Sequence, residues 1–381
     1  MRPNFLYHPF EICISGYSGS GKTTLNEKLI RHFKSQYKVA FFKHDAHEFE
    51  FDKEGKDTFK AWHAGASLVS IHDKEKTALI ERRAPDPKHI EIERQLWACD
   101  HDFAIIEGFK HINAPKLLLL GAGETKVKAL LDLREKRITD VLAILVVELD
   151  RDTSQLAEEF NLPVFERNDV TSIAEFILNY FKQQIASMPL KGLILAGGKS
   201  SRMGQDKGAI AYHGRPQSEH LLLTLKEHCS EVFVSCRSEQ KDLPHLKNLP
   251  QIHDRLIDMG PMAGVLSAML YDPNAYWLVL ACDLPFVNKL TISHLLERWN
   301  PFKQATCYLS QEGLPEPLCG IYSPKFKDRM FTFMGHGYLC SRKTMLSSDV
   351  LGVELPFKEA LYNANTPDER VQIEKIFREE N

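Results

Sequence analysis

One short motif near the N-terminus restricts the fold of this chain more than any other feature. The apolar run "EICIS" at 11–15 has the composition of a buried strand, and the next eight residues, "GYSGSGKT" at 16–23, satisfy G-x-x-x-x-G-K-[ST]. A helical pattern follows from about Lys22 to Phe33. In a strand–loop–helix unit of this kind the glycines let backbone N–H groups wrap a phosphate at a helix N-terminus. The motif therefore predicts an α/β domain with a phosphate-binding loop.

The residues of this loop have separate expected roles. Lys22 reaches the outer phosphates of a nucleotide, and the Thr23 hydroxyl can bind magnesium. The site also needs an acid near the metal and the attacking water, and Glu107, which ends the strand "DFAIIE", stands where such an acid belongs. A capping or merely solvated glutamate is the alternative. The predicted nucleotide-binding residues are Gly16, Ser18, Gly19, Ser20, Gly21, Lys22, Thr23, Thr24 and Glu107.

Apolar runs of strand length alternate with amphipathic stretches along the whole chain. They start at 11, 38, 102, 116 and 142 and, after Pro189, at 190, 231, 276 and 305. This alternation is typical of parallel sheets covered by helices on both faces. Because 381 residues are about twice the usual length of one domain, we expect two doubly wound α/β domains, residues 1–188 and 189–381. The last helix of the first domain is expected from Thr171 to about Met188, and no linker composition follows it, so the domains should be closely coupled.

Charge and cysteine content exclude several classes of protein. The chain has 26 basic and 29 acidic residues up to Ser187 and 22 of each after it, so neither half is a basic nucleic-acid binder. The eight cysteines are scattered without a C-x-x-C pair, which favours reduced thiols in a core. The sequence has no signal-peptide pattern and no apolar run long enough to span a membrane, so we expect a cytoplasmic protein.

A second glycine-rich loop, "LILAGGKSSRMGQDKG" at 193–208, follows a predicted strand but has neither G-K-[ST] nor G-x-G-x-x-G. Its basic residues, Arg202 and Lys207, can meet the phosphates of a nucleoside triphosphate. Ala196, Gly197 and Gly198 allow the base and ribose to approach the backbone. The chain therefore carries two nucleotide loops of different design.

Nucleotidyl transfer also needs a metal ion, and the sequence offers carboxylates for it. Asp283 follows the buried run of "WLVLACDLPF", with Pro285 expected to end the strand, and a structural Asp in a turn is the alternative. Asp254 and Asp258 precede a Gly/Pro turn and an apolar helix that begins near Met262. Each can bind ribose or magnesium or serve as an ordinary turn residue.

For several further polar residues the sequence is compatible both with a role in binding and with simple exposure to solvent. His44 and His47 are three residues apart, but without a third ligand they are weak evidence for a metal, and polar loop residues are the more frequent outcome. The charged or hydroxyl side chains that follow them can face phosphate or magnesium or be solvated. These residues are Asp52, Lys56, Asp57 and Thr58.

The N-terminal half resembles the MobB family of molybdenum cofactor biosynthesis over about residues 9 to 180. The matching stretches are "GYSGSGKTT", "KHDAH" at 43, "DKEGKDT" at 52, "AGAS" at 64, "IIEGFKH" at 105 and "PKLLL" at 115, in this order. The resemblance implies a P-loop NTPase domain that binds GTP, hydrolyses it weakly and assists the guanylyltransferase of the same pathway.

The C-terminal half resembles the MobA family, the molybdenum cofactor guanylyltransferases, over about residues 190 to 375. The matching stretches are "LAGGKSSRMGQDK" at 195, "GPMAG" at 260 with an Asp before it, "ACDLPF" at 281, "EPLCGIY" at 316 and "NANTPDE" at 363. The resemblance implies a Rossmann-like nucleotidyltransferase domain. Two positions depart from the family pattern, since Arg237 stands near where asparagine is frequent and Gln217 where an apolar residue is usual.

The resemblance also implies roles for individual residues. Those expected to bind the guanine nucleotide are Leu195, Ala196, Gly197, Gly198, Lys207 and, toward the ribose, Asp254. Arg202, Lys207 and Asp283 are expected to be catalytic, with Asp283 holding magnesium in this half and Thr23 in the other. Asn363, Asn365 and Thr366 are expected toward the pterin substrate.

The hypothesis is that the terminal phosphate of molybdopterin attacks the α-phosphate of GTP. The expected small molecules are Mg²⁺, GTP as substrate and ligand, and molybdopterin, and the expected protein partners are molybdenum-insertion proteins, apo-molybdoenzymes and a second copy of the chain joined through the N-terminal domain. Three alternatives stay open: a cytidylyltransferase that uses CTP, a GTP-gated cofactor carrier without catalysis, and a sugar-phosphate nucleotidyltransferase fused to an unrelated kinase-like domain.

Overall fold

The computed structural model describes residues 10–43, 52–82, 86–108, 112–197, 206–256, 259–364 and 367–379. Its N-terminal half contains a six-stranded parallel sheet in the order β2-β5-β1-β6-β7-β8. These strands are β1 (Glu11–Ser15), β2 (Val39–Lys43), β5 (Phe103–Glu107), β6 (Lys116–Leu119), β7 (Val141–Val146) and β8 (Val164–Glu166). An antiparallel hairpin, β3 (Leu68–His72) and β4 (Thr77–Glu81), stands apart from this sheet.

Helices cover both faces of the first sheet, as its continuous apolar strands require. They are α1 (Lys22–Phe33), α3 (Pro87–Ala98), α4 (Glu124–Arg134), α5 (Arg151–Glu159) and α6 (Val170–Ser187), whereas α2 (Asp57–His63) contacts the hairpin strand β3. Alternate residues of a strand point to opposite faces. Leu117 therefore packs with α1 and α6, whereas its neighbour Leu118 packs with α4 and α5. The doubly wound arrangement predicted from the alternating apolar runs is confirmed.

The C-terminal half is built on a seven-stranded sheet in the order β11-β10-β9-β12-β14-β13-β15. These strands are β9 (Leu190–Leu195), β10 (Val232–Cys236), β11 (Gln251–His253), β12 (Tyr276–Ala281), β13 (Ala305–Leu309), β14 (Pro315–Tyr322) and β15 (Val350–Val353). The helices are α7 (Gln217–Leu225), α8 (Pro261–Tyr271), α9 (Lys289–Glu297), α10 (Phe326–Gly335), α11 (Ser341–Leu346) and α12 (Pro367–Glu379). Among the described residues, no helix is both long and apolar enough to cross a bilayer.

One strand of the second sheet runs against the others, which the expectation of parallel sheets did not include. β14 pairs antiparallel with both β12 and β13. Only five residues separate β13 from β14, and Gly313 in this turn has φ +74. A connection this short can join only antiparallel neighbours, because a parallel pair needs a crossover of a dozen or more residues.

The two halves meet through an aromatic cluster. Phe302 belongs to the loop before β13, yet its side chain is 7% exposed and lies among rings of the N-terminal half. The ring centroids are 5.1 Å from Phe10, 5.5 Å from Tyr37 and 6.4 Å from Phe181. Such offset and edge-to-face pairs stabilise beyond the area they bury. Phe302 therefore joins the core of the first half to the second.

Polar contacts surround this aromatic cluster. Lys303 Nζ donates to Asp102 Oδ1 at 2.9 Å, and the fully buried Gln304 donates from Nε2 to the Cys99 carbonyl at 3.1 Å. Lys325 Nζ donates to the carbonyls of His101, at 2.7 Å, and Phe302. Burial lowers the pKa of Lys325 to about 8. Separating the halves would remove the acceptors of Gln304 Nε2 and one acceptor each of Lys303 and Lys325.

The direction of the strands sets where the two loops lie. Phe103 begins β5, and Tyr276 begins β12 and donates its hydroxyl to the Pro301 carbonyl at 2.9 Å, so the junction joins the amino ends of both sheets. The loops after β1 and β9 lie at the carboxyl ends. Each nucleotide loop therefore lies at the carboxyl end of its own sheet, the end away from the junction.

Candidate functional site

The loop after β1 has the backbone conformation that its glycines allow. Gly21 has φ +97 as the residue before α1, a left-handed value that favours glycine. At Gly16 an added Cβ would lie 2.5 Å from the Leu119 carbonyl oxygen, so the loop passes too close to the end of β6 for a side chain. Lys22 Nζ donates to the Tyr17 carbonyl at 2.8 Å. The remaining predicted loop residues, Ser18, Gly19, Thr23 and Thr24, are exposed, whereas Ser20 is buried.

Glu107 lies at the carboxyl end of β5, next to β1, and is only 4% exposed. Its two oxygens accept hydrogen bonds from Thr23 Oγ1 at 2.8 Å and from Asn26 Nδ2 at 2.9 Å. The Lys43 ammonium lies 3.6 Å from Oε1. The structure thus brings together the predicted acid and the predicted metal-binding hydroxyl. Asn26 was missed in the sequence, although its position on α1 one turn after Thr23 was a usable signal.

The second candidate site is a cavity of about 810 Å³ at the carboxyl ends of β9, β10 and β12. This volume is within the range of small-molecule sites. The lining includes the predicted residues Leu195, Ala196, Gly197, Lys207, Asp254 and Asp283. Gly198, Arg202 and Asp258 lie outside the described residues, as do His44 and His47.

Asp283 and Lys207 form an ion pair at this cavity, with 2.9 Å between Lys207 Nζ and Asp283 Oδ2. The other carboxylate oxygen, Oδ1, is buried and has no hydrogen-bond partner in the part of the chain that the structure describes. A buried carboxylate oxygen without a donor fits a bound cation. The prediction that Pro285 ends the strand was wrong: β12 ends at Ala281, so Asp283 lies in the following turn, free of the sheet.

The described residues hold no cluster of three or more His, Cys, Asp or Glu side chains placed to bind a metal ion. A magnesium ion at Asp283 would therefore take most of its oxygen ligands from nucleotide phosphates and water, as Mg²⁺ commonly does. The donor set here, one carboxylate in a cavity with a lysine, is compatible with that mode.

Asp254 follows β11 and lines the opposite wall of the cavity. Its Oδ1 accepts a 2.6 Å hydrogen bond from Ser235 Oγ, and burial raises the pKa of its carboxyl group. Two glycines permit this packing. An added Cβ at Gly197 would lie 3.3 Å from Asp254 Oδ2, and one at Gly264 in α8 would lie 2.4 Å from Ser235 Oγ. Arg237, which departs from the family pattern, also lines the cavity.

Two charged residues near Asp283 were missed by sequence reasoning. Glu316 lies at the end of β14 that adjoins the carboxyl end of β12, and its Oε2 accepts a 2.8 Å hydrogen bond from Arg342 Nη2. Burial raises the pKa of Glu316, and the charge of Asp283 acts in the same direction. Because Arg342 comes from α11, no local sequence pattern predicts this pair.

The C-terminal segment contacts the turn that carries Asp283. The backbone N–H of Ala364 donates to the Asp283 carbonyl at 3.0 Å, so the exposed Asn363 lies beside the turn that carries Asp283. Asn365 and Thr366 lie outside the described residues. Gln217 is fully buried on α7 and donates from Nε2 to the Leu284 carbonyl at 3.3 Å, so this departure from the family pattern is a packing contact.

All eight cysteines are free, as predicted, and seven of them are buried; Cys340 is exposed. Burial raises the pKa of the Cys236 thiol to about 11 and of the Cys13 thiol to about 12. These thiols stay protonated and unreactive at neutral pH.

Two family models match the chain, one in each half. Residues 11–146 match the family described as molybdopterin guanine dinucleotide synthesis protein B, and residues 192–347 match the MobA-like NTP transferase domain.

Curated relatives are similar to each half of the chain. A probable molybdenum cofactor guanylyltransferase of Nostoc sp. is 30% identical over 49% of this chain and 92% of its own length. A molybdopterin-guanine dinucleotide biosynthesis adapter protein of Haemophilus influenzae is 33% identical over 44% of this chain and 86% of its own. A molybdenum cofactor biosynthesis bifunctional protein of Synechocystis sp. is 35% identical over 50% of this chain, and this match spans 56% of that protein.

Proposed function

Since the chain belongs to the MobB family through its N-terminal half and to the MobA-like NTP transferase family through its C-terminal half, we propose that it transfers GMP from GTP to molybdopterin. By family the chain is a nucleotidyltransferase of molybdenum cofactor biosynthesis. Molybdenum-loaded molybdopterin would be the acceptor, and molybdopterin guanine dinucleotide and pyrophosphate the products. The observation that carries the proposal is the Asp283–Lys207 pair at the 810 Å³ cavity, with one carboxylate oxygen left without a donor.

In the proposed reaction an oxygen of the terminal phosphate of molybdopterin attacks the α-phosphorus of GTP. The bond from that phosphorus to the bridging oxygen breaks, and pyrophosphate leaves with the electron pair. The attacking phosphate is already ionised, so no protein nucleophile is required. The residues must align two anions and offset their repulsion. Mg²⁺, held by Asp283, would supply part of that positive charge.

Individual residues have defined parts in this reaction. Lys207 and Arg202 neutralise the phosphates, and the backbone of Leu195, Ala196, Gly197 and Gly198 receives the guanine nucleotide. Asp254 lies toward the ribose. Asn363, beside the turn that carries Asp283, is proposed to contact the pterin together with Asn365 and Thr366.

The N-terminal half is proposed as a GTP-binding adapter with weak hydrolysis. Its P-loop, Thr23 as magnesium ligand and Glu107 beside it supply the groups that such a domain needs. Each loop lies at the end of its own sheet away from the junction, so a nucleotide in the P-loop does not reach the transferase cavity of the same chain. The adapter would therefore act through the Phe302 junction or on a partner protein.

Assembly and location are further parts of the proposal. The hairpin of β3 and β4 exposes Leu68, Ile71 and Leu79, and an isolated two-stranded hairpin is marginal in water, which supports a homodimer through the N-terminal domain. Molybdenum-insertion proteins and apo-molybdoenzymes are the proposed partners. The eight free cysteines support a cytoplasmic location, and the end of α6 supports a domain boundary between residues 188 and 189.

The deciding experiment incubates the purified chain with Mg²⁺, molybdenum-loaded molybdopterin and an equimolar mixture of GTP and CTP, with analysis of the products. We expect the guanine dinucleotide and one pyrophosphate for each product molecule. A cytosine dinucleotide product would show that the chain is a cytidylyltransferase. Turnover of sugar phosphates but not of molybdopterin would show that it is a sugar-phosphate nucleotidyltransferase. Bound cofactor without pyrophosphate release would indicate a carrier.

A further inference from the structure

One arginine outside the P-loop motif contacts that loop. Arg167 follows β8, the edge strand of the first sheet, which lies three strands from β1. Its backbone N–H continues the sheet pairing by donating to the Val146 carbonyl at 2.7 Å. Its guanidinium Nη1 donates to the Ser20 carbonyl at 3.2 Å, and an added Cβ at Gly21 would lie 3.0 Å from the same nitrogen. The cation therefore touches the loop where α1 begins.

The surroundings of Arg167 leave its charge available. A guanidinium has five N–H donors, and one is used for Ser20. Within the described residues no carboxylate lies within ion-pair distance of Arg167; the neighbouring Asp169 instead caps α6 by accepting from the Ser172 N–H at 3.1 Å. The adjacent N-terminus of α1 also carries positive potential. This is an arrangement suited to an anion rather than to an internal salt bridge.

We propose that Arg167 is a second cationic contact for the phosphate chain of the nucleotide bound in the P-loop, complementing Lys22. The inference rests on the proposed binding of GTP by this half. A planar guanidinium presents two parallel N–H groups to phosphate oxygens, which a lysine ammonium does not. Because Arg167 also begins the segment that leads into α6, nucleotide binding would tie the last strand of the sheet to the loop after β1.

A purely structural role makes a different prediction. If Arg167 only holds the Ser20–Gly21 turn, any side chain that donates to the Ser20 carbonyl would replace it. Arg167→Gln keeps an N–H donor and loses the charge, whereas Arg167→Lys keeps the charge and loses the paired N–H groups. The matched control is Lys28→Gln: Lys28 lies exposed on α1 and donates to Asn168 Oδ1 at 3.1 Å, so the variant removes one positive charge next to the same segment.

The test measures GTP binding to the full-length chain at low and high ionic strength. GTP binding to the Lys22→Ala variant measures the contribution of the transferase cavity. This contribution is subtracted from the binding measured for each other variant. For the P-loop site we expect Arg167→Gln to weaken binding about 10- to 100-fold at low salt, with a smaller difference at high salt. We expect Arg167→Lys to weaken it less than about 10-fold and Lys28→Gln less than about 2-fold. Melting without nucleotide should be unchanged within about 2 °C.

Each other outcome has a definite meaning. Wild-type affinity in Arg167→Gln overturns the inference. Equal losses in Arg167→Gln and Arg167→Lys, accompanied by a lower melting temperature without nucleotide, also overturn it, since they indicate a clamp on the turn. If the Lys22→Ala substitution leaves GTP binding unchanged, the proposed GTP-binding role of this half fails, and the inference fails with it.

Discussion

The two halves place an acid in equivalent positions but surround it differently. Glu107 ends β5, the strand beside β1, and Asp283 follows β12, the strand beside β9. In both cases a carboxylate lies next to a glycine-rich loop at the carboxyl edge of a parallel pair. Glu107 receives hydrogen bonds on both oxygens from Thr23 and Asn26, and the Lys43 ammonium lies 3.6 Å from its Oε1. Asp283 receives one from a lysine and leaves its other oxygen without a donor.

The two carboxylates differ in whether their oxygens have hydrogen-bond partners within the chain. Both Glu107 oxygens accept hydrogen bonds from side chains of α1, so this carboxylate is satisfied within the chain. A buried carboxylate oxygen without a partner costs free energy, which a cation would recover. The arrangement at Glu107 suits a nucleotide that stays bound, and the arrangement at Asp283 suits a nucleotide that reacts. This difference agrees with the proposed adapter and transferase roles.

The largest expected effect is a loss of stability at alkaline pH, to which the C-terminal half contributes most of the buried thiols. Five buried thiols lie in the C-terminal half and two in the N-terminal half. Burial raises the pKa of Cys229 and Cys307 to about 12, so the folded state keeps protons that the unfolded state loses. The resulting stability is full below the unfolded pKa, 9.0, and is lost as pH rises above it. At pH 10 we expect a loss of roughly 1 kcal/mol per thiol, about 5 kcal/mol for the C-terminal half.

Denaturant unfolding of the full-length chain at neutral and alkaline pH under reducing conditions tests this expectation. Cys229→Ala should reduce the pH dependence by the share of one thiol. Cys340→Ser is the control, because Cys340 is exposed and should not contribute. An unchanged pH dependence in Cys229→Ala would show that the buried thiols do not cause the alkaline loss of stability.

Phe302→Ala tests whether the halves act as one unit. The substitution leaves a cavity among Phe10, Tyr37, Phe103 and Phe181, and removal of a buried phenyl ring typically costs about 3–5 kcal/mol. We expect calorimetry to resolve two unfolding transitions where the wild type has one. Phe176→Ala is the control, since its ring packs on Phe165 at 5.2 Å within the first half and should lower stability without separating the transitions. A single transition in Phe302→Ala would indicate that the polar contacts hold the halves together.

The sequence predicts what is local and misses what distant elements bring together. The loop at 16–23 and the acid Glu107 were identifiable because a strand, its loop and its helix are contiguous, and because a charged residue ends a buried run. The ends of α6 were also within one residue of expectation, since Asp169 caps it. By contrast, Arg342, Arg167 and Phe302 reach their partners across more than one element, and no spacing in the sequence encodes those contacts. The hairpin of β3 and β4 was missed because its strands are mostly exposed, with Val69 the one buried residue of β3.

Asp283→Asn tests the proposed role of Asp283 in the transferase cavity. The amide keeps the shape of the side chain but removes the charge that pairs with Lys207 and fits a cation. We expect a loss of transfer activity of about 10²-fold or more, equivalent to about 3 kcal/mol of transition-state stabilisation. Asp242→Asn, at an exposed position of the same half, is the control and should keep full activity. Retained activity in Asp283→Asn with magnesium would remove Asp283 from the metal site.

Lys22→Ala carries the smallest expected effect and tests the separation of the two loops most directly. The P-loop lies at the carboxyl end of the first sheet, and the transferase cavity lies at the carboxyl end of the second, beyond the Phe302 junction. Removing the Lys22 ammonium should abolish GTP binding at the P-loop. With purified chain and free cofactor, we expect the rate of guanylyl transfer to fall less than about 10-fold, or about 1.4 kcal/mol. A loss as large as that of Asp283→Asn would mean that nucleotide binding at the P-loop affects the chemical step through the junction. The two nucleotide sites would then be coupled rather than independent.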